Sequence, residues 1–251
     1  LLINNVVKLT IKIVYFCIKI LIHFGDYMEL YLDSANIEHI RHAAELGFIS
    51  GVTTNPSLLA KEDPTVDIRK RILDIYEMVG GHLSVEVIST ETKGMIREAE
   101  EIISWFPDAV IKIPIIPTGL AAVRELSDRE IPTNVTLVFS ANQAIAAHNA
   151  GATYVSVFMG RLDDISIDSY AVLQEICDIW DIQGYESSII AASIRHPIHI
   201  TQAAKAGADI ATIPYQVLMQ SLNHPLTDFG LQKFLADYDK MMTQKQTGMI
   251  K

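Results

Sequence analysis

One lysine stands inside an otherwise apolar, mostly β-branched run, Val110-Ile111-Lys112-Ile113-Pro114-Ile115, which follows the turn-forming pair Pro107-Asp108. Such a run reads as a parallel strand covered on both faces. An ammonium in that setting needs a carboxylate partner or must shed its proton, and the neutral amine is the form that attacks a carbonyl carbon. The plainer alternative is a lysine whose stem lies along the sheet while its head reaches water. Side chains two apart on a strand share a face, so the neighbouring runs are the test. Asp33 shares a face with Tyr31, Thr53 with Asn55, Asn134 with Thr136 and Ser156 with Phe158. Glu86 points away from Val85 and Val87, and Ser193 ends a run two residues before Arg195. Every apolar run except the last thus offers a polar or ionisable group near its C-terminal half. Together they make an amine, two carboxylates able to move protons, amides and hydroxyls able to orient a substrate, and guanidinium groups for an anion.

Each residue taken singly has a duller reading. Asp33 is equally an N-cap for the helix that follows it, and Thr53, Thr54 and Asn55 before Pro56 equally a capping turn. Glu86 pairs with Lys112 as a buried ion pair, a role compatible with catalysis. Asn134 and Thr136 fit side-chain bonds to neighbouring strands, and Arg161 and Arg195 fit the surface. His196 and His199, beside Pro197, read as helix-start residues. No spacing of metal-ligand character is found, and no metal site is expected.

These side chains need a scaffold that brings eight strand ends together. The expected strands are Glu29–Asp33, Gly51–Asn55, Leu83–Ile88, Ala109–Ile115, Thr133–Phe139, Tyr154–Met159, Ser188–Ser193 and Ile210–Pro214. Helical patterns cover Asn36–Leu46, Val66–Val79, Ile167–Trp180, Pro197–Ala206 and Tyr215–Leu222, and others start near Glu91, Thr118 and Ala141. Eight strand and helix pairs over about 200 residues, without a glycine-rich phosphate loop after the first strand, predict an α/β fold of the closed (β/α)8 TIM-barrel type. Residues 28–225 form that barrel. Residues 226–251 supply an additional C-terminal helix and tail, whose apolar stripe of Phe229, Phe234, Leu235 and Tyr238 is expected to pack on a neighbouring subunit.

Residues 1–27 differ from the rest: apolar and β-branched, but interrupted by Lys8, Lys12 and Lys19. Lysines at that density make a poor bilayer span, and no small-residue cleavage site follows. The expectation is a mis-assigned or non-native extension, with the natural chain starting at Met28. The net charge of −10 argues against nucleic acid and anionic membrane as partners. Two unclustered cysteines, Cys17 and Cys177, fit a reducing cytoplasm.

The stretches VTTNPSLLAKE (52–62), SVEVIS (84–89), VIKIPI (110–115), TNVTLVFSANQA (133–144), SVFMGRLDD (156–164) and AASIRHP (191–197) occur together and in order. In these the chain resembles the transaldolase family, specifically its short class that also holds fructose-6-phosphate aldolases, from Met28 to about Asp239. The resemblance implies that Lys112 forms a Schiff base with a ketose donor and that Asp33 moves the proton of the C4 hydroxyl. It implies that Glu86 and Thr136 hold a catalytic water, and that Asn55, Asn134 and Ser156 hold the dihydroxyacetone unit. Arg161, Ser193 and Arg195 match the phosphate site, and Thr53 lines the entry at the end of its strand. No cofactor is implied, because the imine itself serves as the electron sink.

Family members that act as fructose-6-phosphate aldolases carry glutamine at the Glu86 position, tyrosine at Phe158 and lysine at Arg195. The residues present here therefore imply a transaldolase of the pentose phosphate pathway, with aldol cleavage as the alternative. The physical reason lies at Phe158: a phenyl ring has no acid to protonate the bound enamine. A non-enzymatic alternative is a sugar-phosphate sensor that keeps the pocket and uses Lys112 as a point charge. The resemblance further implies a homo-oligomer, a decamer of two pentamers.

Overall fold

Strands covered on both faces must find a second apolar layer, and here each is followed by a helix that supplies it. A computed structural model describes residues 27–246 apart from 63, 64 and 66. In chain order the elements begin β1 (Glu29–Asp33), α1 (Ile37–Glu45), β2 (Gly51–Thr53), α2 (Pro56–Leu59), α3 (Ile68–Val79), β3 (His82–Glu86), α4 (Thr92–Trp105), β4 (Val110–Pro114) and α5 (Pro117–Ser127). They continue as β5 (Thr133–Val138), α6 (Ala141–Asn149), β6 (Tyr154–Phe158), α7 (Met159–Asp163), α8 (Ser169–Gln183), β7 (Ser188–Ala192), α9 (Pro197–Ala206), β8 (Ile210–Ile213), α10 (Tyr215–Leu222) and α11 (Pro225–Gln246). All eight strands pair in parallel, each with its sequence neighbour, and β8 closes on β1. The fold is the expected (β/α)8 barrel with an added C-terminal helix.

The main core lies between strands and helices. Leu32, Val52, Ile111, Val135, Val155 and Ile213 turn outward into it and are fully buried. Inside the barrel, Tyr31, Ile190 and Ile210 form a smaller cluster with Tyr154 packed against it. Gly51 makes room for that cluster, since a Cβ there would lie 2.9 Å from the Tyr31 ring.

The structure departs from strict alternation in two places. Between Val135 and Val138 the β5–β6 register shifts by one residue, with Leu137 at φ 62°, so β5 carries a bulge just after Thr136. β2 ends at Thr53, two residues sooner than expected, because Asn55 becomes the N-cap of α2 and accepts from the Leu58 amide at 2.9 Å. That short helix and α7 sit at the C-terminal ends of their strands, and neither was expected from periodicity. Asn36 caps α1 by accepting from the His39 amide at 3.0 Å, which frees Asp33 from the capping role.

α11 begins a residue before the expected 226 and runs to Gln246. Among the described residues no helix is long and apolar enough to cross a membrane. Except for Tyr27, the expected extension over residues 1–27 lies outside the described residues, as do 247–251 of the tail.

Candidate active site

Parallel pairing sets Lys112 of β4 opposite Glu86 of β3, and both side chains turn into the barrel. The Lys112 Nζ lies 3.1 Å from Glu86 Oε2 and donates to the Thr54 carbonyl at 3.2 Å. Lys112 is only 5 % exposed, which rules out the strand-edge lysine with its head in water. The partnering carboxylate that its burial demands is present.

Asp33 ends β1 and accepts from Thr53 Oγ1 at 2.8 Å. The Thr53 hydroxyl in turn meets Thr212 Oγ1 at 2.6 Å. Burial holds the Asp33 carboxyl above the usual carboxylate range, and the Lys112 ammonium and the Thr53 bond oppose that shift without cancelling it. Thr212 corrects one expectation: the last strand does contribute a polar group, from its middle, and the period-two rule applied to Ile210 and Thr212 locates it.

On β5, Thr136 is buried, and its Oγ1 has no hydrogen-bonding partner among the described residues. Asn134 lies two residues before it, fully buried, donating from Nδ2 to Ser84 Oγ at 3.0 Å and accepting from Ser156 Oγ at 2.7 Å. Asn55 joins both of its readings, since it caps α2 and also faces the cavity.

The far end of the site is cationic. Arg161 of α7 lies over the Phe158 ring, 5.2 Å from its centroid, and Arg195 pairs with Asp164 at 2.9 Å. Ser193 adopts φ 56°, a left-handed conformation unusual for serine, and its carbonyl accepts from the Gly160 amide at 3.0 Å. A Cβ on Gly160 would sit 2.3 Å from the Ser193 carbonyl oxygen and 2.5 Å from Arg195 Cγ. Glycine there lets the β6 and β7 ends approach closely enough to lay Arg195 beside Arg161 at the cavity wall.

These groups surround one cavity of about 480 Å³. Lys112, Asp33, Glu86, Thr136, Thr53, Asn55, Ser156, Phe158, Arg161, Ser193 and Arg195 all line it, whereas Asn134 does not and lies beneath its floor. Lys61 and Thr212 line it as well and were missed by sequence reasoning. Lys61 lies within the same TTNPSLLAKE stretch as Asn55, and α2 folds it back over the strand ends.

Residues far apart in sequence also meet behind Arg195. Ligand atoms of Asp163, His196 and His199 lie within 4.8 Å of one another, a grouping that linear spacing did not foresee. His199 Nε2 contacts Asp163 Oδ2 at 2.7 Å while its Nδ1 accepts from the Arg195 amide at 3.3 Å. Both imidazole nitrogens are therefore engaged, and the array braces the turn that carries Arg195.

A buried amine beside a carboxylate, a second carboxylate whose pKa burial raises and a cationic end suit imine chemistry on a phosphorylated carbonyl compound. Comparison with known proteins agrees with that class. A family model described as transaldolase/fructose-6-phosphate aldolase matches residues 30–251. A probable transaldolase of Geobacillus thermodenitrificans is 55% identical over 213 residues, covering 85% of this chain and 99% of the relative. A probable transaldolase of Desulforudis audaxviator is 56% identical over 214 residues, with the same shares covered. Among solved structures, thiamine phosphate pyrophosphorylase from Pyrococcus furiosus superposes with a TM-score of 0.55 at 13% identity, over 75% of this chain and 86% of that one. At that identity the likeness concerns the barrel alone.

Proposed function

The chain belongs to the transaldolase/fructose-6-phosphate aldolase family, and from that premise we propose that it is a transaldolase acting through a Schiff base on Lys112. The reaction moves a dihydroxyacetone unit between sugar phosphates. Sedoheptulose 7-phosphate and glyceraldehyde 3-phosphate give erythrose 4-phosphate and fructose 6-phosphate, as in the pentose phosphate pathway of the cytoplasm.

The observation that carries this reading is the Lys112 amine, sequestered from water 3.1 Å from Glu86 inside a cavity that Asp33 and the arginines also line. Glu86 takes the ammonium proton, and the neutral amine attacks the C2 carbonyl of the ketose. Glu86 then returns that proton to the carbinolamine hydroxyl, which leaves as water to give the iminium, and Thr136 and Glu86 face the space where this water departs and later returns. In the iminium, the C3–C4 bond breaks as Asp33 accepts the proton of the C4 hydroxyl, and the bonding electrons pass into the imine to give an enamine. The aldehyde departs and the three-carbon enamine stays on Lys112. An incoming aldehyde is attacked by the enamine carbon, Asp33 returns its proton to the new hydroxyl, and hydrolysis releases the product ketose. Arg161 and Arg195 bind the terminal phosphate by charge-assisted hydrogen bonds. Phe158 offers the enamine no proton, so it persists until the acceptor arrives.

Borohydride reduction in the presence of fructose 6-phosphate tests the intermediate. The expected result is a stable three-carbon or six-carbon adduct that mass spectrometry places on Lys112. Sugar binding without an adduct would establish the sensor reading instead. A coupled assay with and without erythrose 4-phosphate then separates the two enzyme readings, since transfer requires the acceptor and rapid release of dihydroxyacetone without it marks an aldolase.

A further inference from the structure

The two arginines of the phosphate end are held in different ways. Arg195 donates from Nη2 to Asp164 Oδ2 at 2.9 Å, so part of its fork and of its charge is already committed. Arg161 has neither a carboxylate nor a hydrogen-bonding partner among the described residues, although the chain as a whole is acidic. Its guanidinium carbon lies instead 5.2 Å from the centroid of the Phe158 ring. Phe139 flanks that ring in turn, at 69° to it with the centroids 5.7 Å apart. Phe158 lines the cavity together with Arg161, and Phe139 stands outside the lining.

We propose that Phe158, with its ring plane fixed by Phe139, is a positioning residue for the phosphate: it holds Arg161 by the face of the guanidinium and leaves every N–H of that group free for the anion. The proposal rests on the reading of Arg161 as a phosphate ligand.

A ring face attracts a guanidinium through its quadrupole, and the contact engages the flat face of the cation while its N–H groups point outward in the plane. A carboxylate in the same place would occupy those donors and cancel the charge that a phosphate seeks. An unheld side chain is no substitute, because Arg161 is exposed and its rotamer freedom would be lost only when the ligand arrived, weakening the binding. The backbone assembles the three groups. Phe158 caps α7 and Arg161 lies three residues on, so ring and guanidinium are neighbours across one helical turn. The extra residue in β5 sets Val138 level with Val157, and therefore Phe139 level with Phe158. In an unshifted register Phe139 would stand beside Met159, and the ring would lack its aromatic neighbour.

The test reads the contact and the anion separately, on the full chain. In 15N-arginine-labelled protein, the Arg161 Nε–H signal is assigned by its absence from Arg161→Met. The Phe158 ring current is expected to shift it upfield of the exposed arginines, and Phe158→Tyr should keep that shift while Phe158→Leu removes it. An Arg161 signal at the ordinary position in the unmodified chain overturns the proposal, and only a surface variant is needed to assign it. Inorganic phosphate, followed by 31P line broadening, should bind about fivefold more weakly to Phe158→Leu, about threefold more weakly to Phe139→Leu and within twofold of normal to Phe158→Tyr. Phe139→Leu should likewise raise KM for fructose 6-phosphate about threefold with kcat within about twofold. Unchanged phosphate affinity in Phe158→Leu, or equal losses in the leucine and tyrosine variants, overturns the proposal. Undiminished phosphate binding by Arg161→Met would remove the phosphate reading and the proposal with it. A chain without transfer activity that follows the expected phosphate series would refute the assigned reaction and leave the role of Phe158 standing.

Discussion

Asp33 is asked to ionise in a place that disfavours ionisation. Desolvation lifts its carboxyl above the ordinary value, and the nearby ammonium and the Thr53 hydroxyl reclaim only part of that shift. A general base must be ionised, so the acidic limb of kcat/KM against pH is expected above the ordinary carboxylate value of about 3.9. The stability consequence has a definite sign. A carboxyl whose folded pKa exceeds its unfolded one makes the protein lose stability as pH rises through the interval between the two values. Asp33→Asn should therefore melt at a higher temperature than the unmodified protein at neutral pH. That advantage should shrink as pH falls through the folded pKa and be gone below the unfolded one, while activity drops by roughly 10² to 10⁴. Thermal melts from about pH 3 to 8 check it, and an asparagine variant that is less stable throughout would show that the Thr53 and Lys112 contacts outweigh desolvation. At this scale the sequence was readable wherever a charge broke an apolar alternation, which is why Asp33, Glu86 and Lys112 stood out. Asn134 was placed on the correct face, but its depth depends on strand tilt and stagger, which no single strand encodes. Lys61 was hidden because its position depends on α2, a helix too short to leave a periodic signal.

Between elements, the phosphate end of the site depends on how closely the ends of β6 and β7 approach. The left-handed backbone at Ser193 and the missing side chain at Gly160 are two parts of one device, since the Gly160 amide donates to the Ser193 carbonyl. A methyl group on Gly160 would meet that carbonyl oxygen at 2.3 Å, and backbone at a barrel rim cannot yield as a flexible side chain would. Gly160→Ala is thus expected to cost about 1–3 kcal/mol of stability. Because the same methyl would press on Arg195 Cγ, KM for phosphorylated substrates should rise about tenfold with a smaller change in kcat. Steady-state kinetics with fructose 6-phosphate check this, and an unchanged KM would detach Arg195 from the phosphate. The strands themselves were legible from β-branched runs bounded by turns. The β5 bulge was not, because the adjacent apolar pair Leu137-Val138 is equally compatible with an unbulged strand buried on both faces, and the extra residue shows only against its partner strand. The short helices α2 and α7 escaped for a related reason: at four and five residues neither is long enough to show an apolar period, and only α2 has a side-chain cap, from Asn55.

On the scale of the whole molecule, the closed barrel accounts for every described element except α11. That helix has 22 residues, about 33 Å of length, and is exposed along it. Leu231, Phe234, Leu235, Tyr238, Met241 and Met242 recur at helical spacing, and Phe234 is 73% exposed. An apolar stripe of that length on a free chain is a liability for solubility, whereas against a second copy it is an interface. The stripe was foreseeable from spacing, but its lack of a place on the barrel became visible only once the ring had closed on β8. We propose that α11 lies on a neighbouring copy in a homo-oligomer, which the family resemblance makes a decamer of two pentamers. Light scattering of the full chain should then give a mass several times that of one protomer, and Phe234→Asp together with Leu235→Asp should lower it. Each aspartate would put an unpaired carboxylate into an apolar contact, at a cost of several kcal/mol per subunit. The barrel should survive the change, because neither side chain reaches its core, so circular dichroism should be preserved while the mass falls. An unmodified chain that stays monomeric at micromolar concentration, or a double variant that keeps its full mass, would mean that α11 covers something other than a second copy of this protein.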